Sequence, residues 1–348
     1  MSFFRRCLEN EPVETSAPCR LDMGGTLDLS TFYLPLRHLA PCTFNAALDM
    51  RTRIRLLPHT DGRIKISSRG FDPIDVESET APFSSSMGLM MAVAAYFNAD
   101  GVHIQIDSSS PPRSALGGSS VAAAALVWAL SKVVADEERP LPDPGEVARV
   151  AYAIEQSVAG VPCGLQDHLA AVYGGINGWF WESGDKGGSY ERRELIAADA
   201  YPMFNKHILV AYCGVPHVSK DINGTWVRDF LAGRQRDTWR RIIVHSRQFI
   251  ESISDGDYRL AVDAMNAETN LRVGMTPGVL EPMGRTLVAA ARDLDCGARF
   301  TGAGGGGCIW ALGVPAQIER LRSDWQAILD ERPEAALLDV RIDANGIL

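Results

Sequence analysis

The chain has 348 residues, of which 46% are hydrophobic and 22% are charged, and its formal net charge is −9. This hydrophobic fraction supplies a core and is not typical of a disordered chain, and the length suggests two domains or one large α/β unit. The negative charge and the lack of a basic stripe argue against a nucleic-acid-binding protein, because such binding needs a basic surface.

No apolar run reaches the roughly 18 residues that a membrane span needs, and the first residues do not resemble a secretory signal. The 7 cysteines are scattered and form no C-x-x-C pair, which is typical of reduced cysteines in a cytoplasmic protein. We therefore expect a soluble, cytoplasmic protein with neither a membrane nor nucleic acid as a partner. The pattern leaves open whether the chain forms a homodimer.

In chain order, the predicted strands and helices alternate irregularly. Alternating polar and apolar residues predict strands within 40–71 and at 102–107, and the apolar runs at 207–212 and 308–312 are also typical of strands. Helical patterns cover residues 87–97 (with the serines at 84–86 as N-cap candidates), 121–134, 146–158, 167–172, 238–253, 261–270, 282–293 and 316–327. Residues 182–193 are polar and indicate a surface hairpin or linker. The order predicts an α+β or mixed α/β fold with domains at 1–200 and 201–348.

The strongest local signal is the sequence that follows the predicted strand at 102–107. A proline-initiated turn leads through Gly117-Gly118-Ser119-Ser120 into a strong helix former. Glycine allows the backbone to approach a ligand, and the free N–H groups at a helix start attract an anion. The two serine hydroxyls can contact phosphate or a bound metal. Taken alone, the stretch is explained equally well by a serine-capped core helix.

A second glycine run at residues 301–307 contains the pattern G-x-G-x-x-G. The dinucleotide-binding motif should open a helix, but a strand-like sequence follows here, so that interpretation fails. No Walker A sequence occurs in the chain. Backbone approach to a ligand explains the glycines, Gly304 and Gly305 among them, better than a plain loop does.

Two further segments carry charged residues near glycines. Asp167 precedes a short predicted helix, where a carboxylate can act either as a cap or as a base, and Glu155 on the preceding helix could bind Mg²⁺. Near the start of the chain, Arg20, Asp22 and Asp28 flank a glycine pair. A salt-bridged turn is the simplest interpretation of that cluster alone.

In this order the four features resemble the motifs of the GHMP small-molecule kinases, and the resemblance covers nearly the whole chain. The three family motifs resemble residues 17–28, 111–122 and 301–307. Within the family, the chain is most similar to galactokinase-like sugar kinases that act on D-glycero-D-manno-heptose 7-phosphate, through residues 17–20, 164–177 and 214–219. The resemblance implies an α+β fold with a ribosomal protein S5 domain 2-like N-terminal domain and a ferredoxin-like C-terminal domain, with ATP and Mg²⁺ between them.

The resemblance also implies roles for individual residues. The catalytic residues would be Asp167 and Arg20, and the metal ligands Ser119 and Glu155. The residues that bind ATP would be Pro112, Leu116, Gly117, Gly118, Ser119 and Ser120. Those that bind the acceptor would be Asp28, Gly25, Thr26, His217, Gly304 and Gly305.

The implied function is transfer of the γ-phosphoryl group of ATP to a hydroxyl, expected to be anomeric, of a heptose 7-phosphate or a related sugar. Leu165 and His217 stand where the heptose kinases carry lysine and arginine, which weakens the case for a phosphorylated acceptor because phosphate is best held by Arg or Lys. Two alternatives stay open. One is a kinase of a non-sugar small alcohol, and the other is a non-catalytic protein that senses sugar and ATP.

Overall fold

The first sheet is built from strands in the first 194 residues of the chain. The computed structural model describes residues 1–181, 190–216 and 222–348. Its strands are β1 (Val13–Met23), β2 (Cys42–Pro58), β3 (Arg63–Ser68), β4 (Ile74–Glu77), β5 (Val102–Ser108), β6 (Ile176–Trp181) and β7 (Tyr190–Glu194). They pair in the order β4-β3-β5-β2-β6-β7, with β1 also paired to β2. The pairing of β3 with β5 is parallel, and the other pairings are antiparallel.

The second sheet is antiparallel and uses later strands. These are β8 (Ile208–Tyr212), β9 (Gly297–Phe300), β10 (Cys308–Leu312) and β11 (Ala336–Leu338), in the order β11-β8-β10-β9. Because both sheets are largely antiparallel and helices pack beside them, the predicted α+β class is confirmed.

The helices are distributed along the whole chain. They are α1 (Phe3–Asn10), α2 (Ser30–Leu36), α3 (Gly88–Tyr96), α4 (Gly118–Val134), α5 (Pro144–Val158), α6 (Gln166–Tyr173), α7 (Tyr201–Phe204), α8 (Ile222–Leu231), α9 (Arg236–Asp255), α10 (Tyr258–Met275), α11 (Pro282–Asp293) and α12 (Pro315–Leu329). Within the described ranges, no helix has the length and apolar character that a bilayer crossing requires.

Helix α4 occupies the centre of the first layer of helices. Four consecutive alanines, residues 122–125, are buried in it, and the helix packs against β1, β2, α5 and α6. Small side chains allow neighbouring backbones to approach closely, so the start of α4 lies within reach of residues on both β1 and α6.

Several elements differ from the sequence-based predictions. Helix α3 begins after Met87, and none of the serines at 84–86 caps it, since Gly88 folds back against the Phe83 backbone. Helix α5 begins at Pro144, where Asp143 and Glu146 form a capping box. The elements that were not predicted are strands β1, β4, β6, β9 and β11 and helices α1, α2, α7 and α8. Of the polar stretch 182–193, residues 190–193 belong to β7, and 182–189 lie outside the described residues.

The C-terminal segment, residues 342–348, returns to the first sheet. Ile342 forms a bridge with Leu48, and Leu348 exchanges two backbone hydrogen bonds with Ser16. Between them, the backbone N–H of Ile347 donates to the carbonyl of Val172 near the end of α6. The segment therefore joins β1, β2 and α6.

Arg51 holds this segment in place. Its guanidinium donates to the Ser16 hydroxyl at 2.9 Å, to the Gly346 carbonyl at 2.6 Å and to the carboxylate of Asp343 at 2.5 Å. Hydrogen bonds to charged groups contribute more to stability than neutral ones. Arg51 is therefore expected to stabilise the fold measurably.

We expect Arg51→Ala to lower the free energy of unfolding by about 2–3 kcal/mol, because it removes several charge-assisted hydrogen bonds at once. Urea denaturation measures the change. Arg53→Ala is the matched control, since Arg53 lies on the same strand with its side chain 57% exposed, and a change within about 0.5 kcal/mol is expected there. Equal effects of the two substitutions would contradict the role given to Arg51.

Candidate active site

Strand β1 places Arg20 and Asp22 on one face and apolar side chains on the other. Cys19, Leu21 and Met23 belong to a hydrophobic cluster, and the side chains of a strand alternate between its two faces. The register between β1 and β2 shifts between Pro18 and Cys19. Such bulges re-aim the side chains that follow them, and the next residue is Arg20.

Arg20 forms a bidentate ion pair with Asp167 on α6. Its Nε and Nη2 donate to the two carboxylate oxygens of Asp167 at 2.8 and 3.0 Å, and its Nη1 donates to the Ala115 carbonyl at 2.9 Å. Arg20 is 2% exposed. Burial lowers the pKa of Arg20, but the charges of Asp167 and Asp22 outweigh it and hold that pKa above its ordinary value. Asp167 keeps part of its side chain, 21%, open to solvent, so a ligand can reach the pair.

Asp167 is not the N-cap of α6, as the sequence had suggested it could be. The helix starts at Gln166 after Leu165, and no side chain in the described part of the chain caps it. Asp167 lies in the first turn, and its carboxylate contacts Arg20 instead.

The N-terminus of α4 lies beside this ion pair. Gly117 precedes the helix with φ +82°, a left-handed conformation that favours glycine, and a Cβ on it would meet the Asp167 carboxylate at 3.4 Å. The space beside Gly118 is open, and Ser119 is exposed. Because the first N–H groups of a helix have no partner within the helix, this end can bind an anion.

Glu155 lies close to the start of α4, inside the protein. The hydroxyl of Ser120 donates to its Oε2 at 2.7 Å, and His168 Nε2 lies 2.8 Å from the same oxygen. Burial raises the pKa of Glu155, but the contacts with His168 and Ser120 outweigh this effect and hold it below its ordinary value. The hydroxyl in contact with Glu155 is therefore that of Ser120, and the prediction of Ser119 as a metal ligand is a separate one that this contact does not test.

These residues suit a magnesium ion that is bound together with a phosphate ligand. Mg²⁺ takes one or two carboxylates and completes its shell with water and substrate phosphates. Glu155 supplies one carboxylate, and Ser119 and Ser120 supply hydroxyls next to an anion-binding helix end. Among the described residues, no group of three or more His, Cys, Asp or Glu could hold a metal by itself. The donor set therefore fits a metal that binds together with a phosphate ligand.

A loop after β1, residues 24–28, forms the other side of the site. Gly25 packs so closely that a Cβ on it would lie 2.7 Å from the carboxylate of Asp22. Thr26 adopts φ +73°, and its hydroxyl donates to the Asn223 side chain at 3.1 Å. We call residues 24–28 the acceptor loop, after the role that the family resemblance predicts for Gly25, Thr26 and Asp28.

Asp28 is the buried carboxylate of the acceptor loop. It is 4% exposed, and the Gln166 backbone N–H donates to it at 3.1 Å. Burial raises the pKa of Asp28 to about 6, against the opposing effect of that hydrogen bond, and the charge of Asp167 adds to the rise. A group that donates a hydrogen bond to the Asp28 carboxylate would therefore stabilise its ionised form.

The second glycine run, residues 301–307, closes over the Arg20 side of the site. The Gly302 N–H donates to Asp22 at 2.7 Å, and a Cβ on Gly307 would meet the Ser114 carbonyl at 2.5 Å. Gly304 and Gly305 both have positive φ, and the Gly305 N–H donates to the Val279 carbonyl. The run therefore contacts the loop before α4 directly, as close backbone approach requires.

The structure gathers most of the predicted site residues, and three others lie elsewhere in the chain or in the loop before α4. Pro112 is exposed at the entrance to the loop before α4, Leu116 is buried beneath it, and His217 lies outside the described residues. Sequence reasoning missed the side chains of Gln166, Asn223, Glu268, Arg272 and Arg299. Only Gln166 had a local signal, since it stands next to Asp167.

Comparison with known proteins agrees with this geometry in both halves of the chain. The profile described as "GHMP kinases N terminal domain" matches residues 86–175, and "GHMP kinases C terminal" matches residues 249–331. The first match spans α3 to α6, and so it contains the α4 loop, Glu155 and Asp167. The chain belongs to the GHMP kinase family. It is accordingly a phosphotransferase with an alcohol group as acceptor, and its fold is the two-domain GHMP kinase fold.

Individual GHMP kinases are similar over most of their length. A mevalonate kinase from Thermococcus sibiricus is 24% identical over 298 residues, covering 79% of this chain and 83% of that protein. A D-glycero-D-manno-heptose 1-phosphate kinase from Bacteroides thetaiotaomicron superposes with a TM-score of 0.72 at 15% identity, covering 96% and 97% of the two chains. Lactococcus lactis galactokinase with galactose superposes with a TM-score of 0.72 at 16% identity, covering 99% and 97%.

The raised pKa of Asp28 predicts the pH dependence of this kinase's stability. The folded state holds the Asp28 proton more tightly than the unfolded state, so stability falls as pH rises between about 4 and 6, by about 3 kcal/mol from this residue. Asp28→Asn should remove that fall and make the ligand-free protein more stable than wild type above pH 6. Urea denaturation at several pH values measures it. The exposed Asp107→Asn is the control, and identical pH profiles for wild type and Asp28→Asn would refute the prediction.

Proposed function

We propose that this GHMP kinase uses ATP and Mg²⁺ to phosphorylate a hydroxyl of a sugar or sugar phosphate, in the cytoplasm. The observation that carries the proposal is the bidentate Arg20–Asp167 pair beside the N-terminus of α4. A carboxylate oriented by a buried guanidinium, next to an anion-binding helix end, provides what phosphoryl transfer needs, namely positioning and charge neutralisation.

Each group in the site has a role in that reaction. The backbone N–H groups at the start of α4 bind the ATP phosphates, and Arg20 offsets the charge that develops during transfer. Asp167 accepts the proton of the acceptor hydroxyl or orients that hydroxyl. The acceptor oxygen bonds to the γ-phosphorus as the bond to ADP breaks.

The metal-binding residues in this proposal are Glu155 and the serines at the start of α4. When bound, Mg²⁺ supplies neutralisation of the phosphate charge. The neighbours of Glu155 keep its carboxylate ionised. Ser119, the residue before Ser120 in the sequence, is exposed. We propose Ser119 as the ligand hydroxyl and Ser120 as the residue that orients Glu155.

Asp28 favours a sugar as the acceptor. A buried carboxylate with a raised pKa gains from hydroxyl donors and repels an anionic group placed against it. Sugar hydroxyls supply such donors, with any phosphate at the far end of the molecule. The anomeric hydroxyl of a heptose 7-phosphate is our specific candidate, and the sugar-kinase resemblance of residues 164–177 supports it.

A mevalonate-like alcohol is the second candidate, and one observation favours it. The curated relatives that match along most of the chain include mevalonate kinases from several archaea, at 23–27% identity. Mevalonate carries a carboxylate, and the Asp28 carboxylate disfavours a second anionic group placed against it. The acceptor therefore distinguishes the two candidates directly.

ADP release with Mg²⁺ and ATP should be measured across heptoses, their terminal phosphates, galactose, mevalonate and phosphomevalonate. We expect turnover with a sugar or sugar phosphate and a substantially lower kcat/KM with mevalonate. Preferential turnover of mevalonate would overturn the sugar assignment and leave the kinase activity intact. ATP binding without turnover of any acceptor would favour a sensor.

Asp167→Asn tests the site in the same assay. It should lower kcat by about 10²- to 10⁴-fold with little change in ATP binding, because the isosteric amide cannot take the proton. Asp199→Asn, at an exposed position, should leave kcat unchanged. Near-normal turnover by Asp167→Asn would remove Asp167 from the mechanism.

Glu155→Gln tests the metal assignment. The Mg²⁺ concentration for half-maximal activity should rise about tenfold or more, because a neutral amide is a weaker ligand than a carboxylate. Exposed Glu138→Gln serves as the control. An unchanged magnesium titration would show that Glu155 does not contact the metal.

A further inference from the structure

A group of charged side chains lies buried between the acceptor loop and the second sheet. Asp22, Glu268, Arg272 and Arg299 each have 0% exposure. Two come from α10, one from β9 and one from β1. Charges removed from water this completely persist only when each is paired and hydrogen-bonded.

Glu268 is the branch point of this group. Its Oε1 accepts from Arg272 Nε at 2.8 Å, and its Oε2 accepts from Arg299 Nε at 3.1 Å. Burial raises the pKa of Glu268, but the two arginines outweigh it and hold that pKa below its ordinary value. Each carboxylate oxygen therefore fixes one guanidinium.

The first branch leads to the catalytic pair. Arg299 Nη1 donates to Asp22 Oδ2 at 3.2 Å, and the other oxygen of Asp22 lies 3.3 Å from Arg20 Nη1. Arg20 then forms its two hydrogen bonds with Asp167. The position of Arg20 is thus defined by Asp22 on one side and by Asp167 on the other.

The second branch leads to the acceptor loop. Arg272 Nη2 donates to the Gly25 carbonyl at 2.6 Å. The guanidinium carbon of Arg272 lies 4.8 and 4.7 Å from the ring centroids of Trp226 and Trp239. Contacts of this kind attract a cation, so the group that holds the Gly25 carbonyl is itself held by the rings and by Glu268.

We propose that Glu268 is a positioning residue that sets Arg20 through Arg299 and the acceptor loop through Arg272. The inference rests on the proposed kinase function of the site. Apolar residues of similar volume often stabilise a core as well as a buried ion network does. The contribution of the network here is therefore to place Arg20 and the acceptor loop. Its Arg299 branch acts on kcat, and its Arg272 branch acts on the acceptor KM.

The two branches are tested with substitutions that retain the positive charge. Arg299→Lys should lower kcat by about tenfold to a hundredfold, since small misplacements of catalytic groups cost that much, and should leave acceptor KM and ATP affinity near wild type. Arg272→Lys should raise acceptor KM by about tenfold and affect kcat less. Glu268→Gln should do both.

Coupling distinguishes positioning from a general loss of structure. In an Arg20→Lys background, Arg299→Lys should lower kcat no further, because it acts through Arg20, while the effect of Arg272→Lys on KM should persist. Arg51→Lys is the control for a stabilising arginine elsewhere in the fold. It should change the urea midpoint but neither kcat nor KM. If Glu268→Gln fails to fold, the two lysine variants carry the test.

The proposal would be overturned if the two lysine variants changed kcat and acceptor KM to the same extent. Additive effects of Arg299→Lys and Arg20→Lys on kcat would also overturn it. An absence of turnover in wild type would instead contradict the proposed function. In that case, hydrogen exchange of the Arg20 Nε–H, followed by NMR, gives the decision. Arg299→Lys should accelerate it about tenfold or more relative to Arg51→Lys, and equal exchange would overturn the positioning role.

Discussion

The position of one guanidinium, that of Arg20, determines how the rest of this molecule can work. Arg20 is almost fully buried, so each of its hydrogen bonds must be met by a partner that the fold brings to it. Asp22 comes from the same strand, Asp167 from α6 and the Ala115 carbonyl from the loop before α4. Strand pairing, helix packing and loop conformation must all agree before this charge is satisfied. The fold and the chemistry therefore share one constraint.

The sequence was most informative where function depends on local backbone. The glycine–serine turn into α4 and the second glycine run were recognisable because a close approach of backbone needs glycine, and their order along the chain identified the family. Strand β1 was missed because Arg20 and Asp22 give it a polar appearance, although its last seven residues are buried. Glu268 and Arg299 had no signal at all. A buried charge is visible only once its partner, distant in sequence, is known.

The acceptor is harder to predict from the sequence than the reaction is, for a physical reason. In the reaction that we propose, phosphoryl transfer uses groups attached to the shared framework, namely the α4 end, Glu155 and Asp167, so proteins with different acceptors can retain similar structures. The proposed acceptor site includes the loop at 24–28, where the Thr26 hydroxyl donates to the Asn223 side chain from α8. These contacts change with single residues. Sequence relatives named for mevalonate and structural neighbours named for sugars are thus compatible with the same fold.

The C-terminal segment has a consequence for how the molecule is assembled during synthesis. Residues 342–348 pair with β1 and contact the end of α6, which carries Asp167. A ribosome makes these residues after every strand of the second sheet. The first sheet can therefore form most of its pairings early, but it acquires the backbone partners of Ser16 and Leu48 only after the strands of the second sheet have been made. The first sheet is therefore begun before the second sheet but receives these backbone partners after it.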